Sequence, residues 1–536
     1  MARRGRRADL KFRSFPPGLG WVPLATGVVA LIIVSAVAFV PHYTKRTTGS
    51  TVEQQGGSQA LGGSGGGGAA GGSSGSAGGG GGTSVIRGQG RTIGGSGGSG
   101  GSSGSTGLSK QDAAACAAGH NGGSTAPGVT ASALNVASTI VTDGVGAGFL
   151  GEAQDGMQVA IDQKNQAGGV CGRRIALHTV NSSWDSQKGQ QYIDNFISSG
   201  NTFALVGQPD SQGLDAAITS GLIDRAQIPV VGTDGLLKSQ YGNGWVWPVG
   251  VSTVSNMHII VQYAHDHLGA TSPNDYGIVF DTVYKFGAEG AKAFDAEVKR
   301  VTGSDVGGYS AASDQCNSRY CGVASDKTDY STEITQFNQG CNPACKVVVL
   351  LLEPQPAEAW MKGEQNATQW YKNLFGGEPL FDDTVGQNCP GCGGQTTACK
   401  VCTGMIVWTG YHAALQPFDS ESAVAEFCGA LKAAFPKDDC HNEFTEGAYL
   451  GMKLFIDAAE RAGPNLTRSR LRDVLNSQTF SYGLTGTQTL QFGTSFPRVA
   501  NASMTSYRDN YSGTFNGWSY MNNGFIGDPH STQDLS

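Results

Sequence analysis

The sequence predicts an α/β protein of two doubly wound lobes, preceded by one transmembrane helix and a flexible linker. Three observations predict this organisation. A charge-free apolar run lies near the N-terminus, a glycine- and serine-rich tract follows it, and short β-rich runs then alternate with amphipathic helical runs. About 430 residues follow the tract, which is too many for one sheet, so we expect two lobes that face each other across a cleft.

Glycine and charge are distributed unevenly along the chain. Of the 82 glycines, 27 lie between Thr47 and Gly107, where no packed core can form and where collagen's period of three is missing. Residues 1–107 carry ten basic and two acidic residues, whereas the remainder carries 26 basic and 41 acidic ones. The acidic remainder argues against a nucleic-acid-binding surface and fits an extracytoplasmic domain.

The N-terminal segment has the pattern of an export signal. The twenty residues from Trp21 to Val40 carry no charge and are long enough to cross a bilayer. Six basic residues precede them, so the positive-inside rule places the N-terminus in the cytoplasm. Ala36–Ala38 also has the spacing of a cleavage site, so both a signal anchor and a cleaved signal peptide stay open. The predicted boundaries are 1–20 for a basic cytoplasmic segment, 21–41 for the transmembrane segment and 42–110 for the linker.

The twelve cysteines lie between Cys116 and Cys440, and an even number in an exported chain predicts disulfides. The predicted pairs are Cys116–Cys171, Cys316–Cys321, Cys341–Cys345 and Cys428–Cys440. The other four have the spacing C-x2-C-x6-C-x2-C and are Cys389, Cys392, Cys399 and Cys402. Four thiolates at that spacing would suit a tetrahedral zinc ion, and a CxxC pair could instead be redox-active. Because the chain is expected outside the cytoplasm, two more disulfides are favoured over both.

The acidic part of the chain alternates strands with helices, as βαβ units with a parallel sheet do. The predicted strands cover residues 134–141, 174–180, 203–207, 228–232, 276–281, 346–353 and 404–408. The predicted helices cover residues 152–166, 186–199, 212–226, 253–268, 287–300 and 443–461. In such lobes ligands bind beyond the carboxyl ends of the strands, where loops and helix N-termini converge.

The order of these segments carries a resemblance to a known family. The run VTASALNVASTIVTDGVGAGFLGEAQDGMQVAIDQKNQAGGVCGRRIALHTVNSSWD is followed by FALVGQPDSQGLDAA, IPVVGTDG and GIVFDTVYKFGAEGAKAF. Over about residues 128–500 the chain resembles the type-I periplasmic binding proteins, and among them the branched-chain amino-acid receptors of ABC transporters. The resemblance implies two Rossmann-like lobes that three crossovers join around a hinged cleft. Lobe I would then comprise 128–250 plus 409–483, and lobe II 251–408 plus 484–525.

The resemblance also implies a ligand site in the first lobe. Amino-acid receptors of this family hold the ligand carboxylate with hydroxyl and backbone N–H groups after the third and fourth strands. The matching residues are Gln208, Asp210, Ser211, Gly232, Thr233 and Asp234. An aspartate beside a carboxylate is unfavourable unless it caps a helix or meets a cation. The presence of Asp210 and Asp234 therefore indicates either that the ligand is not a plain amino acid or that the two aspartates are N-caps that face away from it. For each of the predicted residues, a role in a turn or cap alone remains the alternative.

In the second lobe the resemblance implies an aromatic residue before a helix-opening glycine, the end of the next strand, and an acidic residue for the ligand ammonium. The matching residues are Tyr284 and Phe286, then Glu353, then Asp382 or Asp383. A surface turn is the alternative for the last two.

Gly146–Gly151 spells the GxGxxG of dinucleotide-binding proteins, but the predicted strand ends several residues earlier and Asn181 stands where an acid would hold a ribose. We therefore predict no cofactor and no enzymatic activity. The first hypothesis is a solute-binding protein of an ABC importer, with a small polar solute, permease subunits and the membrane as partners. It would be monomeric and held in the cell membrane by a single pass, with the C-terminal domain extracytoplasmic, and it would be secreted if the signal is cleaved. A tethered sensor or envelope-binding module on the same fold is the alternative, and an exported enzyme is a third.

Overall fold

The structure is a computed structural model. It describes residues 110–310, 315–342, 345–364, 371–381, 385, 404–485, 488–496, 501–507, 518–521 and 526–530. The predicted transmembrane segment and nearly all of the linker lie outside these residues, as do Asp382, Asp383 and the four cysteines of the CxxC pairs. Within the described ranges, no helix combines the length and the apolar character needed to cross a membrane.

The described residues form strands and helices in the alternation that the sequence predicts. The strands are β1 (Ala133–Ile140), β2 (Arg174–Asn181), β3 (Ala204–Val206), β4 (Val230–Thr233), β5 (Val246–Pro248), β6 (Tyr276–Asp281), β7 (Cys316–Asn317), β8 (Tyr320–Val323), β9 (Cys345–Leu351), β10 (Tyr371–Gly376), β11 (Ile406–Thr409), β12 (Asn501–Tyr507), β13 (Trp518–Tyr520) and β14 (Ile526–Gly527). The helices are α1 (Lys110–Ala117), α2 (Ala147–Leu150), α3 (Ala153–Gln166), α4 (Ser186–Ser198), α5 (Ser211–Thr219), α6 (Leu222–Ala226), α7 (Thr253–Leu268), α8 (Lys285–Thr302), α9 (Ser331–Gly340), α10 (Pro354–Glu364), α11 (Ser422–Ala434), α12 (Glu443–Ala462) and α13 (Arg468–Ser477).

The first sheet has five parallel strands in the order β2-β1-β3-β4-β5. Its strands β3 and β4 are buried throughout, as strands covered on both faces are. The long helix α12 packs against β4 and α3, although it follows β11 in sequence. This sheet, with the helices that cover it, forms the first lobe.

The second sheet has nine strands, of which eight follow the order β13-β12-β11-β10-β9-β6-β8-β7, while β14 pairs with β12. Its centre is parallel, from β8 through β6, β9 and β10 to β11. Both edges are antiparallel, through the pairs β11–β12, β12–β13 and β7–β8. These antiparallel edges are additions to the parallel sheet that the βαβ rhythm predicts. This sheet forms the second lobe together with α7–α10.

The chain passes between the two lobes more than once. Strand β5 belongs to the first sheet and β6 to the second, while β11 lies in the second sheet and α12 on the first. Strand β12 then returns to the second sheet, although side chains as far along as Phe492 pack in the core of the first lobe. The lobe limits drawn from the sequence stay a prediction.

Four disulfides are present in the described residues: Cys116–Cys171, Cys316–Cys321, Cys341–Cys345 and Cys428–Cys440. These are the four pairs that the sequence predicts. Cys116–Cys171 attaches the leading helix α1 to the loop before β2, and Cys428–Cys440 joins α11 to the loop before α12.

The GxGxxG segment does not form a tight strand-to-helix turn. Strand β1 ends at Ile140, five residues (141–145) before the first glycine of the motif, Gly146. The motif itself folds as the short helix α2, whose Phe149 and Leu150 are buried. A dinucleotide-binding strand instead passes directly into its glycine loop. The gap after β1 therefore agrees with the sequence analysis, which argued against a dinucleotide site.

Candidate functional site

Loops at the carboxyl ends of strands from both sheets meet around one small cavity of about 10 Å³. A cavity of this volume has room for about one water molecule. The lining residues follow β3, β4, β10 and β11 or belong to the start of α12. They are Gly207, Gln208, Pro209, Gly232, Asp234, Glu378, Tyr411, Glu443, Phe444, Gly447 and Ala448. Both lobes therefore contribute to this cavity.

The side chain of Gln208, which follows β3, is held by the neighbouring strand β1. Its Oε1 accepts hydrogen bonds from the Ser138 hydroxyl at 2.8 Å and from the Thr139 N–H at 2.7 Å. A backbone N–H can only donate, so this bond also settles which end of the amide is the oxygen. The buried Nε2 has no hydrogen-bonding partner among the described residues, so the cavity has one uncommitted donor here.

Asp234 lies beyond β4, next to Gly232 on the cavity wall. Its Oδ1 accepts hydrogen bonds from the Leu236 N–H at 3.1 Å and from Gln240 Nε2 at 2.9 Å. Its Oδ2 is buried and unpartnered within the described residues. Burial raises the pKa of Asp234 to about 7, and repulsion from Asp210 acts in the same direction.

Two further carboxylates complete the polar wall. Glu378 opens a short 3-10 helix (Glu378–Leu380) directly after β10 and is 2% exposed. Glu443 is the first residue of α12, is 1% exposed, and accepts the Gly410 N–H at 2.7 Å through Oε1. Each keeps one oxygen, Glu378 Oε2 and Glu443 Oε2, without a hydrogen-bonding partner in the described structure.

No lysine or arginine of the described residues forms an ion pair with Asp234, Glu378 or Glu443. Burial first, and then repulsion from neighbouring carboxylates, holds the pKa of Glu378 well above its usual range. Burial also raises the pKa of Glu443, although the hydrogen bond from Gly410 partly opposes it. Buried carboxylates without a cation either keep a proton or await a positive partner.

Aromatic rings enclose the rest of the cavity. Tyr411 follows β11 and is buried, and a Cβ added to Gly447 would lie 2.8 Å from its hydroxyl oxygen. Phe444 packs edge-on against Phe149 with ring centroids 5.0 Å apart. The site thus combines acidic groups with aromatic faces and contains little other polar surface.

Comparison with known proteins identifies the family. The sequence profile of the periplasmic binding proteins matches residues 134–503, which is more than half of the chain. The chain belongs to the periplasmic binding protein family. This confirms the resemblance to the type-I members of that family. None of the curated protein sequences matches the chain.

Solved periplasmic binding proteins have the same fold. A fatty acid ABC transporter substrate-binding protein from Thermomonospora curvata is 16% identical with a TM-score of 0.62, covering 77% of this chain and 96% of its own. A possible leucine/isoleucine/valine-binding protein from Rhodopirellula baltica is 13% identical with a TM-score of 0.60, covering 73% and 96%. LivJ from Streptococcus pneumoniae, a branched-chain amino acid transporter substrate-binding protein in complex with isoleucine, is 15% identical with a TM-score of 0.56, covering 74% and 99%.

Three of the six first-lobe residues predicted from the family pattern line the cavity, namely Gln208, Gly232 and Asp234. The other three have structural partners. Asp210 caps α5 by accepting the Gly213 N–H at 3.0 Å, which is the N-cap role that the sequence left open. The Ser211 hydroxyl accepts Trp184 Nε1 at 3.2 Å, and the Thr233 hydroxyl donates to Gln240 Oε1.

The second-lobe residues Tyr284, Phe286 and Glu353, predicted from the family pattern, are not among those that line the cavity. Tyr284 stacks on Trp184 with ring centroids 4.2 Å apart, and Phe286 is fully buried beside the same indole. Glu353 is fully buried, and burial followed by repulsion from Asp281 holds its pKa well above the usual range. Asp382 and Asp383 lie outside the described residues, and ligand contact by any of these five stays a prediction.

Sequence reasoning did not single out Glu378, Tyr411, Glu443 or Phe444. Strand β10 was not predicted, so nothing marked Glu378 as the residue that follows a strand. Glu443 had an available signal, because Asn442 is a strong N-cap residue and helix N-termini line the clefts of this family.

The two lobes touch beside the cavity. Lys285 Nζ of α8 lies 2.6 Å from Asp215 Oδ1 of α5, and the Lys285 N–H donates to Gln212 Oε1 at 3.3 Å. The Lys238 N–H donates across the same junction to Glu289 Oε2 at 3.1 Å. A groove of about 500 Å³ runs along this contact. The structure is therefore a closed arrangement of the lobes.

Proposed function

We propose that this chain is the extracytoplasmic solute-binding component of an ABC importer, which captures a small polar solute by closure of two lobes. The observation that carries the proposal is the cavity at the strand ends, since Gln208 and Asp234 line it from the first lobe and Glu378 from the second. A ligand held by both walls stabilises the closed arrangement over the open one, and only a differential affinity of this kind can shift such an equilibrium.

The surroundings of the cavity support a solute rather than a reaction. A buried site with fixed polar groups and lobes in contact suits a ligand that is enclosed and released. The relatives of known structure are named as receptors for branched-chain amino acids or fatty acids. Four disulfides support an oxidising, extracytoplasmic location. We further propose that residues 21–41 tether a monomeric receptor to the membrane, which fractionation of cells expressing the full chain would test.

The test combines binding with uptake. Purified protein is titrated calorimetrically with amino acids, amides, amines and fatty acids, and X-ray scattering records the radius of gyration with and without each solute. We expect one class to bind and to decrease the radius, and deletion of the gene to abolish uptake of that solute until the chain is restored. Binding without any effect on uptake would favour a tethered sensor, and binding of no class would contradict the proposal.

A further inference from the structure

The unsatisfied groups of the cavity are strongly biased toward acceptors. Three carboxylate oxygens lack a partner among the described residues, one each on Asp234, Glu378 and Glu443. Among the fully buried side-chain atoms of the lining that lack a partner in the described structure, the one donor is Gln208 Nε2. Because unpaired buried polar groups are costly, a ligand that supplies several N–H donors would satisfy this site better than one that supplies acceptors.

A ligand carboxylate has few partners here. Neither of the two hydroxyls that the family pattern assigns to it lines the cavity: the Ser211 hydroxyl accepts the Trp184 indole N–H, and the Thr233 hydroxyl donates to Gln240 Oε1. Where they are ionised, the three carboxyl groups of the lining would also repel an anion, and no described lysine or arginine pairs with them to offset the repulsion. Zwitterionic amino acids and fatty acids therefore match these walls poorly.

A single metal ion also matches poorly. Among the described residues, the one group of three acidic, cysteine or histidine side chains with ligand atoms within 4.8 Å of one another is Asp439, Cys440 and His441. Asp234, Glu378 and Glu443 do not form such a group, so their oxygens are spread along the cavity. Spread acceptors suit an organic cation with separated N–H groups rather than one coordinated ion.

The aromatic residues favour the same class of ligand. Tyr411 and Phe444 line the cavity beside Glu443. A cation next to an aromatic face gains from the ring quadrupole, and this gain grows when water is excluded. Carboxyl groups and aromatic rings lining the same cavity are the two elements that recognition of an organic ammonium needs.

We propose that the solute is an amine-bearing organic cation without a carboxylate, bound between Glu378, Glu443 and Asp234. This inference rests on the proposed function, because it concerns the solute of the same cavity. Ammonium or guanidinium N–H groups would donate to the three free oxygens. Because the cavity of about 10 Å³ has room for about one water, the lobes would close less far around such a cation than they do here, with Glu378 of the second lobe meeting a cation already held by the first. Binding would displace protons from those carboxyl groups that carry them.

The test is calorimetric titration of the full-length protein with seven probes. The cations are putrescine, cadaverine, agmatine and spermidine, and the comparison solutes are isoleucine, glutamate and decanoate. We expect at least one of the four cations to bind at least about tenfold more tightly than the comparison solutes, and Glu443→Gln and Glu378→Gln each to weaken it at least about tenfold. Glu364→Gln is the matched control, since Glu364 is a buried glutamate of the second lobe that does not line the cavity, and it should leave affinity unchanged.

Circular dichroism and thermal unfolding of each variant separate lost binding from lost folding. Binding of isoleucine, glutamate or decanoate without binding of a cation would overturn this inference and leave the proposed function intact. A cation that binds wild type and both glutamine variants equally would also overturn it, because the site would then lie elsewhere. Binding of none of the seven overturns the inference, and the broader solute and uptake experiments decide the proposed function separately.

Discussion

Asp234, Glu378, Glu443 and Glu446 bury carboxyl groups where the two lobes meet, without an ion-paired lysine or arginine among the described residues. Glu446, one turn after Glu443 on α12, is fully buried, and neither of its oxygens has a hydrogen-bonding partner in the described part of the chain. Burial, reinforced by repulsion from Glu443, holds the pKa of Glu446 well above its usual range. Such groups are tolerated when protonated and become unfavourable when ionised, so the unliganded closed form is sensitive to pH.

This sensitivity gives a prediction for the unliganded protein. The pKa of Asp234 is raised to about 7, so its stabilising contribution is fully present below the unfolded value near 4 and is lost as pH rises through about 7. We expect the free energy of unfolding to be lower at pH 8 than at pH 5.5, measured by urea denaturation. The other titratable groups facing the site are Asp210, Glu378, Glu443, Glu446, Tyr241 and Tyr411, and burial raises the pKa of each.

Asp234→Asn should reduce this loss between pH 5.5 and 8, whereas the control Asp419→Asn, at an exposed position of the first lobe, should not. Equal pH dependence in wild type and Asp234→Asn would show that the aspartate does not titrate in this range.

Ser211 supports the lobe contact rather than the cavity. Its hydroxyl accepts the indole N–H of Trp184, a fully buried ring that stacks on Tyr284 of the other lobe. Ser211→Ala would leave that N–H unpaired, so we expect a loss of about 1–3 kcal/mol of stability in urea denaturation. Ser198→Ala, which removes an exposed hydroxyl that donates to the Asn195 carbonyl at 3.3 Å, should cost much less. Equal losses would contradict the assigned role.

At the residue scale, the sequence predicted where the first-lobe wall lies but not the chemistry of the whole site. Gln208 and Asp234 follow clearly patterned strands, so their positions at the sheet edge could be inferred. Ser211 and Thr233 lie near the ends of the same strands in sequence, so they were predicted for the same wall. Their hydroxyls instead bond to Trp184 and Gln240, and no local sequence pattern reveals such partners. The acidic character of the cavity depends on long-range contacts that bring Glu378 and Glu443 to the same place.

At the element scale, the contact between β4 and α12 positions one cavity wall. Gly232 has a left-handed φ of 74°, and a Cβ on it would lie 2.1 Å from the Gly451 Cα on α12. Neither glycine can carry a side chain without separating helix and strand. This contact sets the distance between the Asp234 loop and the first turn of α12.

Gly232→Ala should therefore destabilise the protein by about 1–3 kcal/mol more than Gly269→Ala. Gly269 is a matched control, because its φ of 65° is also left-handed but nothing lies within 4 Å of an added Cβ. Thermal and urea unfolding of the two variants compare the clash directly. Equal destabilisation would mean that backbone strain alone accounts for both.

The same scale shows which elements the sequence could predict. Buried strands such as β9 can be predicted from their unbroken apolar runs, and helix α12 can be predicted from its long amphipathic face. The predicted helix 212–226 is instead two helices, α5 and α6, because Gly221 adopts a left-handed φ of 72° between them. Strands β12–β14 are defined by pairing with the edge of the second sheet rather than by a strong local pattern.

At the scale of the whole molecule, the closed arrangement depends on contacts between the lobes. The ion pair between Lys285 and Asp215 joins α8 to α5, with the lysine side chain 40% exposed. Ion pairs of this exposure contribute modestly, so Lys285→Ala should weaken solute affinity by no more than about fivefold. Lys299→Ala removes a pair with Asp305 that lies within the second lobe and should leave affinity unchanged. Equal effects in titration calorimetry would show that the first pair does not stabilise closure.

The most direct measurement is a crystal structure of the protein grown with spermidine. We expect the solute between the lobes, in a cavity larger than the present one of about 10 Å³, with amine nitrogens within hydrogen-bonding distance of the carboxylates of Glu378 and Glu443. Spermidine bound on an outer surface, with the cavity beside Glu443 unchanged, would contradict the claim that this protein encloses its solute between two acidic walls.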